Sequence, residues 1–107
     1  MQGIRGLEGL QVAKRQKYPK IQATILSPPV VEKQKVMFTV SLDGLKRDIV
    51  ILAPVIEEHA LRRPMDVTEL EQYVAANENS FLHSIALLAE ETATGPIVID
   101  RLEQFVI

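Results

Sequence analysis

The chain has two histidines, His59 and His83, and no cysteine. A zinc site on that inventory would fall mostly to carboxylates, against the preference of zinc for Cys and His ligands. His83 stands in "NSFLHSIALLAEET", residues 79–92, with Asn79 and Leu87 one helical turn away and Ala86 three positions on. None of these is a customary metal ligand, and the paired-histidine helix signature H-E-x-x-H is missing. His83 is therefore expected at the boundary of a helix face. His59 follows Glu57-Glu58 and precedes Arg62-Arg63. His59, Glu58, Arg62 and Arg63 are the most reactive group the sequence can assemble, and no motif supports an enzyme built on them. The expected place of His59 is a helix edge, held by a neighbouring carboxylate or by the helix C-terminus.

The other reactive side chains are no better arranged. Ser27, Ser41, Ser80 and Ser84 lie in turn, strand or helix contexts without a base, and there is no G-x-S-x-G. The phosphate-cradling patterns G-x-x-x-x-G-K-[ST] and G-x-G-x-x-G do not occur. Asp43 reads as a turn residue and Asp66 as a helix cap. Glu57-Glu58 and Glu90-Glu91 are adjacent in sequence, so each pair diverges around a helix rather than converging. The expectation is a chain with no catalytic residue, no bound metal and no cofactor.

What must position these groups is clearer. In "KVMFTVSLDGLKRDIVILA", residues 35–53, Asp43-Gly44 is a two-residue hairpin turn whose twist suits the flanking strands. That turn sets the register. Leu42 faces Leu45, Val40 faces Arg47, Phe38 faces Ile49 and Val36 faces Ile51, on one mainly apolar side. Ser41 faces Lys46, Thr39 faces Asp48 and Met37 faces Val50 on the other, mostly wet side. Arg47 interrupts the apolar side and is expected to lay its stem there with its head in water.

"KIQATIL", residues 20–26, alternates as a strand, and the prolines of "SPPVVEKQ" stop it. A short helix follows the hairpin, with Pro54 at its start and Val55, Ile56, His59 and Ala60 as its stripe. The next helix opens on a capping box, Asp66 with Glu69, and a staple between Met65 and Leu70. Asn77 and Asn79 favour a break before a further helix carrying Phe81, Ile85 and Leu88. Gly95-Pro96 ends that helix, and a short strand runs from Ile97 to Ile99.

These elements predict an α+β fold: a small antiparallel sheet, made of the hairpin with N- and C-terminal strands, and two or three helices on one face. A basic, glycine-containing arm, residues 1–20, precedes a single domain, residues 21–107. Residues 1–20 carry Arg5, Lys14, Arg15, Lys17 and Lys20 against Glu8 alone, while the remainder is acidic within an overall net charge of −2. No apolar run reaches the ~18 residues of a membrane span, and the start lacks the apolar centre of a signal peptide. A cytoplasmic protein without membrane contact is expected.

Two kinds of partner fit. Ile4, Leu7 and Leu10 in the arm and the C-terminal Phe105, Val106 and Ile107 are candidate contacts to a protein partner or a second copy. Lys14, Arg15, Lys17 and Lys20 are candidate contacts to the phosphates of a nucleic acid. Only two Tyr and three Phe are available for base stacking, which favours the protein partner.

Residues 25–107 resemble a small bacterial domain family of uncharacterised function. The shared pattern is V-x-F (Val36, Phe38), D-G (Asp43, Gly44), an isoleucine-rich strand, A-L (Ala60, Leu61), a helix with Asn79, Ile85 and Ala89, and G-x-I/V-x-I (Gly95, Ile97, Ile99). The resemblance implies an α+β fold and no activity. The function expected is that of a non-enzymatic interaction or self-association module, with a nucleic-acid accessory role for the arm as the alternative.

Overall fold

The hairpin at Asp43-Gly44 organises the sheet. Strands β3 (Lys35–Leu42) and β4 (Leu45–Leu52) pair antiparallel along their whole length, in the register expected, from Leu42 opposite Leu45 to Val36 opposite Ile51. Asp43 and Gly44 both take positive φ, 53° and 89°, which closes a two-residue turn without splaying the strands. The computed structural model describes residues 20–92 and 94–105. Ile4, Leu7, Leu10, Lys14, Arg15, Lys17, Val106 and Ile107 lie outside the described residues.

Two short strands share the other edge of β3. Strand β1 (Ala23–Ile25) pairs with its C-terminal half and β2 (Val30–Glu32) with its N-terminal half, both antiparallel. Ile25 faces Val40 and Val30 faces Met37, so residues 26–29 span a gap that Phe38 and Thr39 fill opposite. This is a bulge built around the two prolines. Its backbone bonds are made good locally: Leu26 N–H donates to the Thr39 carbonyl at 2.8 Å, and Thr39 N–H donates to Ser27 Oγ at 3.0 Å. The Ser27 hydroxyl thus stands where a ladder carbonyl would be.

The first expectation to be corrected is β2. The two prolines are expected to end the strand, yet the chain resumes pairing after Pro29 and turns again at Lys33-Gln34, both at positive φ (52° and 63°). The second correction concerns direction. Strand β5 (Ile97–Ile99) pairs with β4 in parallel, so the sheet is mixed. The connection from β4 to β5 runs through three helices, long enough to bring the chain back to the same end before it re-enters the sheet.

Those helices are α1 (Ala53–Ala60), α2 (Val67–Ala76) and α3 (Glu78–Glu91). Helix α1 ends at Leu61, which adopts the left-handed conformation (φ 58°) and is 89% exposed. Helix α2 opens on the expected capping box: Glu69 N–H donates to Asp66 Oδ1 at 2.8 Å, and Asp66 N–H to Glu69 Oε1 at 2.9 Å. Met65 and Leu70, the expected staple, are both buried. The chain breaks at Asn77, whose side-chain amide donates to the Tyr73 carbonyl at 2.8 Å. This is the competition with the helix backbone that asparagine brings.

One apolar core lies between sheet and helices. Val36, Phe38, Val40 and Leu42 of β3, Ile49 and Ile51 of β4, and Ile97 and Ile99 of β5 meet Val55, Ile56, Leu70, Val74, Phe81 and Ile85 of the helices. The fold is α+β, with its helices on one face of a small sheet. Leu45 departs from the expected apolar side and is 72% exposed. Strand β5 reaches β4 only at residues 49–51, so no described strand flanks Leu45 on that side. Arg47 also departs: its head, expected in water, donates from Nε to the Gly95 carbonyl at 2.7 Å and from NH1 to the Thr92 carbonyl at 3.1 Å. It ties β4 to the chain leaving α3.

Candidate functional site

The reactive group imagined around His59 does not assemble. His59 turns inward from α1 and packs its ring against Phe81 and Phe105, with centroids at 5.4 and 5.0 Å. Its Nδ1 is 2.7 Å from the Tyr73 hydroxyl. It is held by a phenol and two rings rather than by a carboxylate or the helix end. Arg62 pairs instead with Glu69, and Glu57 accepts the Met65 N–H at 2.9 Å with Arg63 beside it. These contacts lock the α1–α2 connection. Burial raises the Tyr73 phenol above its ordinary value.

His83 sits half-buried on α3, the boundary position expected, and the neighbouring Ser84 is fully buried. Among the described residues, no group of three or more His, Cys, Asp or Glu side chains is placed to hold a metal ion. No described helix is long and apolar enough to cross a membrane. Phe105 is buried in the chain's own core against His59 and Phe81. Phe105, a candidate partner contact on the sequence, is thus taken up within the fold. The backbone N–H of Lys20 donates to Glu90 Oε2 at 2.8 Å, which ties the first described residue to α3.

The unexplained surface is the sheet's other face. Alternation along the strands puts Val30, Met37, Val50 and Val98 on the side away from the helices. They are also aligned across it: Val30 faces Met37, Met37 faces Val50, and Val50 faces Val98. The four form one apolar row over β2, β3, β4 and β5. Val30 is 53% and Val98 45% exposed, with Met37 and Val50 half-buried between them. Pro28, Pro96 and Thr39 line a shallow groove together with Val30, Met37 and Val50. Thr39 Oγ1 donates to Asp48 Oδ1 at 3.2 Å on the polar side of the same face. Met37 opposite Val50 follows from the hairpin register, but Val30 and Val98 do not.

Both edges of the sheet carry a side-chain cap. Val31 N–H, on the free edge of β2, donates to Glu71 Oε2 of α2 at 3.3 Å. On the free edge of β5, the Val98 carbonyl accepts Gln104 Nε2 at 3.2 Å. Gln104 lies in a short 3-10 turn, Leu102–Gln104, and its Oε1 also accepts the N–H groups of Asp100 and Arg101 at 2.8 and 2.9 Å. Such caps occupy backbone groups that another strand would use.

No family model, no curated protein and no solved structure matches this chain.

Proposed function

We propose that this chain is a non-enzymatic protein-interaction module of the bacterial cytoplasm and that the uncovered sheet face is its working surface. One observation carries the reading: the apolar row Val30–Met37–Val50–Val98, in register over four strands on the side the helices leave bare. An antiparallel face that meets only water alternates to polar residues. Here the row is apolar from edge to edge, and contiguous exposed apolar surface of this kind marks contact sites.

A photoactivatable phenylalanine analogue placed at Val98, and separately at Val30, tests the reading in cells. Covalent adducts with protein are expected from both positions and not from Leu61, which is more exposed but lies on the helix side. Equal labelling from all three positions, or none from the row, would overturn it.

The second reading gives the arm a nucleic-acid role, on the strength of Lys14, Arg15, Lys17 and Lys20 in a segment where acids are scarce. It requires retention on a polyanion column that weakens steeply with salt and is lost with residues 1–17.

A further inference from the structure

We propose that the occupant of the bare sheet face is a second copy of the same chain, packed face to face. The inference rests on reading that face as the working surface. Edge pairing, the other route by which a small sheet associates, is hindered at β2 and β5 by Glu71 on Val31 and Gln104 on Val98, and the remaining edge strand, β1, offers only three residues. The faces remain, and the helices cover one of them.

Three features suit the second copy. The first is symmetry. A two-fold contact uses the same patch on both copies. An axis running along the strands lays one apolar row on the other, with Val30 opposite Val98 and Met37 opposite Val50 of the second copy. Polar Thr39 and Asp48 then meet each other across the same axis.

The second is charge. The charged residues that alternation places on this face are Glu32, Lys35, Lys46 and Asp48, two of each sign. Two neutral faces meet without repulsion. A neutral face gives no attraction to the chain's own arm, whose charge is strongly positive.

The third is area. Two strands of eight residues and three of three, at about 4.8 Å spacing and about 3.3 Å per residue, give a face of roughly 400 Å². Two such faces bury about 800 Å² together, the size of a weak, transient contact rather than of a permanent dimer. Sheets so packed sit about 10 Å apart with their side chains interdigitated. Association of that size is expected only at high micromolar protein, since area alone does not guarantee affinity.

Sedimentation equilibrium of the full chain tests this directly. From low micromolar to several hundred micromolar protein, the mass should rise from 12.0 kDa towards twice that value. The double variant V30K/V98K should stay monomeric over the same range. Both sites are about half exposed, so its circular dichroism should match the parent. A parent that remains monomeric throughout overturns the proposal, as does a dimer that the double variant leaves intact.

The cross-linker at Val98 separates the possible failures. An adduct of twice the chain mass supports the second copy. An adduct with a protein of another mass overturns it while leaving the interaction reading standing. A link within one chain to residues 1–19 also overturns it, because the arm is then the cover. No adduct at all removes both readings.

Discussion

Ser27 shows how one hydroxyl can stand in for backbone. The bulge at Pro28-Pro29 takes away the carbonyl that Thr39 N–H would otherwise meet, and Ser27 Oγ accepts it at 3.0 Å. Ser27→Ala leaves that part-buried donor without its acceptor. It should lower stability by about 1 kcal/mol, measured as an earlier midpoint in urea. Tyr73 is the second informative residue, because its hydroxyl meets His59 Nδ1 at 2.7 Å. Tyr73→Phe should also destabilise by about 1 kcal/mol near neutral pH. Burial holds the folded phenol above its ordinary 10.0. Above pH 10 the unfolded chain gives up this proton while the folded chain keeps it, so the unfolded state binds fewer protons and stability falls as pH rises. The contribution is complete below pH 10 and is lost as pH climbs through the raised value. The stability gap between parent and Y73F, followed by urea titration at several pH values, should therefore narrow above pH 10. A gap independent of pH would show that the phenol ionises alike in both states.

At the scale of elements, the two hairpins make a controlled comparison. Both turn on two residues at positive φ, but one uses Asp43-Gly44 and the other Lys33-Gln34. Lys and Gln carry a Cβ penalty in that conformation that Gly escapes and Asn tolerates. Replacing them together, Lys33→Asn with Gln34→Gly, should stabilise the protein by about 1 kcal/mol, seen as a later urea midpoint. Loss of stability would mean that the Lys33 and Gln34 side chains do more than close the turn. The same contrast explains what was legible. Asp43-Gly44 announces its turn by residue type, and the whole β3–β4 register follows from it. Asp66 with Glu69 announces a helix start in the same way. Lys33-Gln34 has no turn chemistry, so β2 was invisible and Val30 with it. Val98 was hidden differently. It sits inside Ile-Val-Ile, where both faces are apolar, and that pattern reads as a strand covered on both sides. That was the available signal for an apolar residue on the bare face of β5. The direction of β5 depends on how far three helices carry the chain, which local pattern does not encode. The inward turn of His59 likewise needed the positions of Tyr73, Phe81 and Phe105, brought together from α2, α3 and the C-terminal segment.

For the whole molecule the balance is between one covered face and one bare face. The helices bury the core side of β3, β4 and β5 completely at Val36, Ile49 and Ile99, while the opposite row stays half in water. If the second copy completes the structure, stability must depend on concentration, because only folded chains associate. Above the dissociation constant, each tenfold increase in protein adds roughly 1.4 kcal/mol per dimer, or about 0.7 kcal/mol per chain. For a domain of this size that raises the melting temperature by about 3 °C per decade. Calorimetry from ten to several hundred micromolar should show this climb in the parent and a flat line in V30K/V98K. The two chains should melt together at the dilute end, where both are monomers and the substituted sites lie outside the core. A parallel climb in both would place the association elsewhere on the molecule. A flat line in both would leave the row facing only solvent, and the fold would then have to tolerate an apolar stripe that its sheet chemistry does not require.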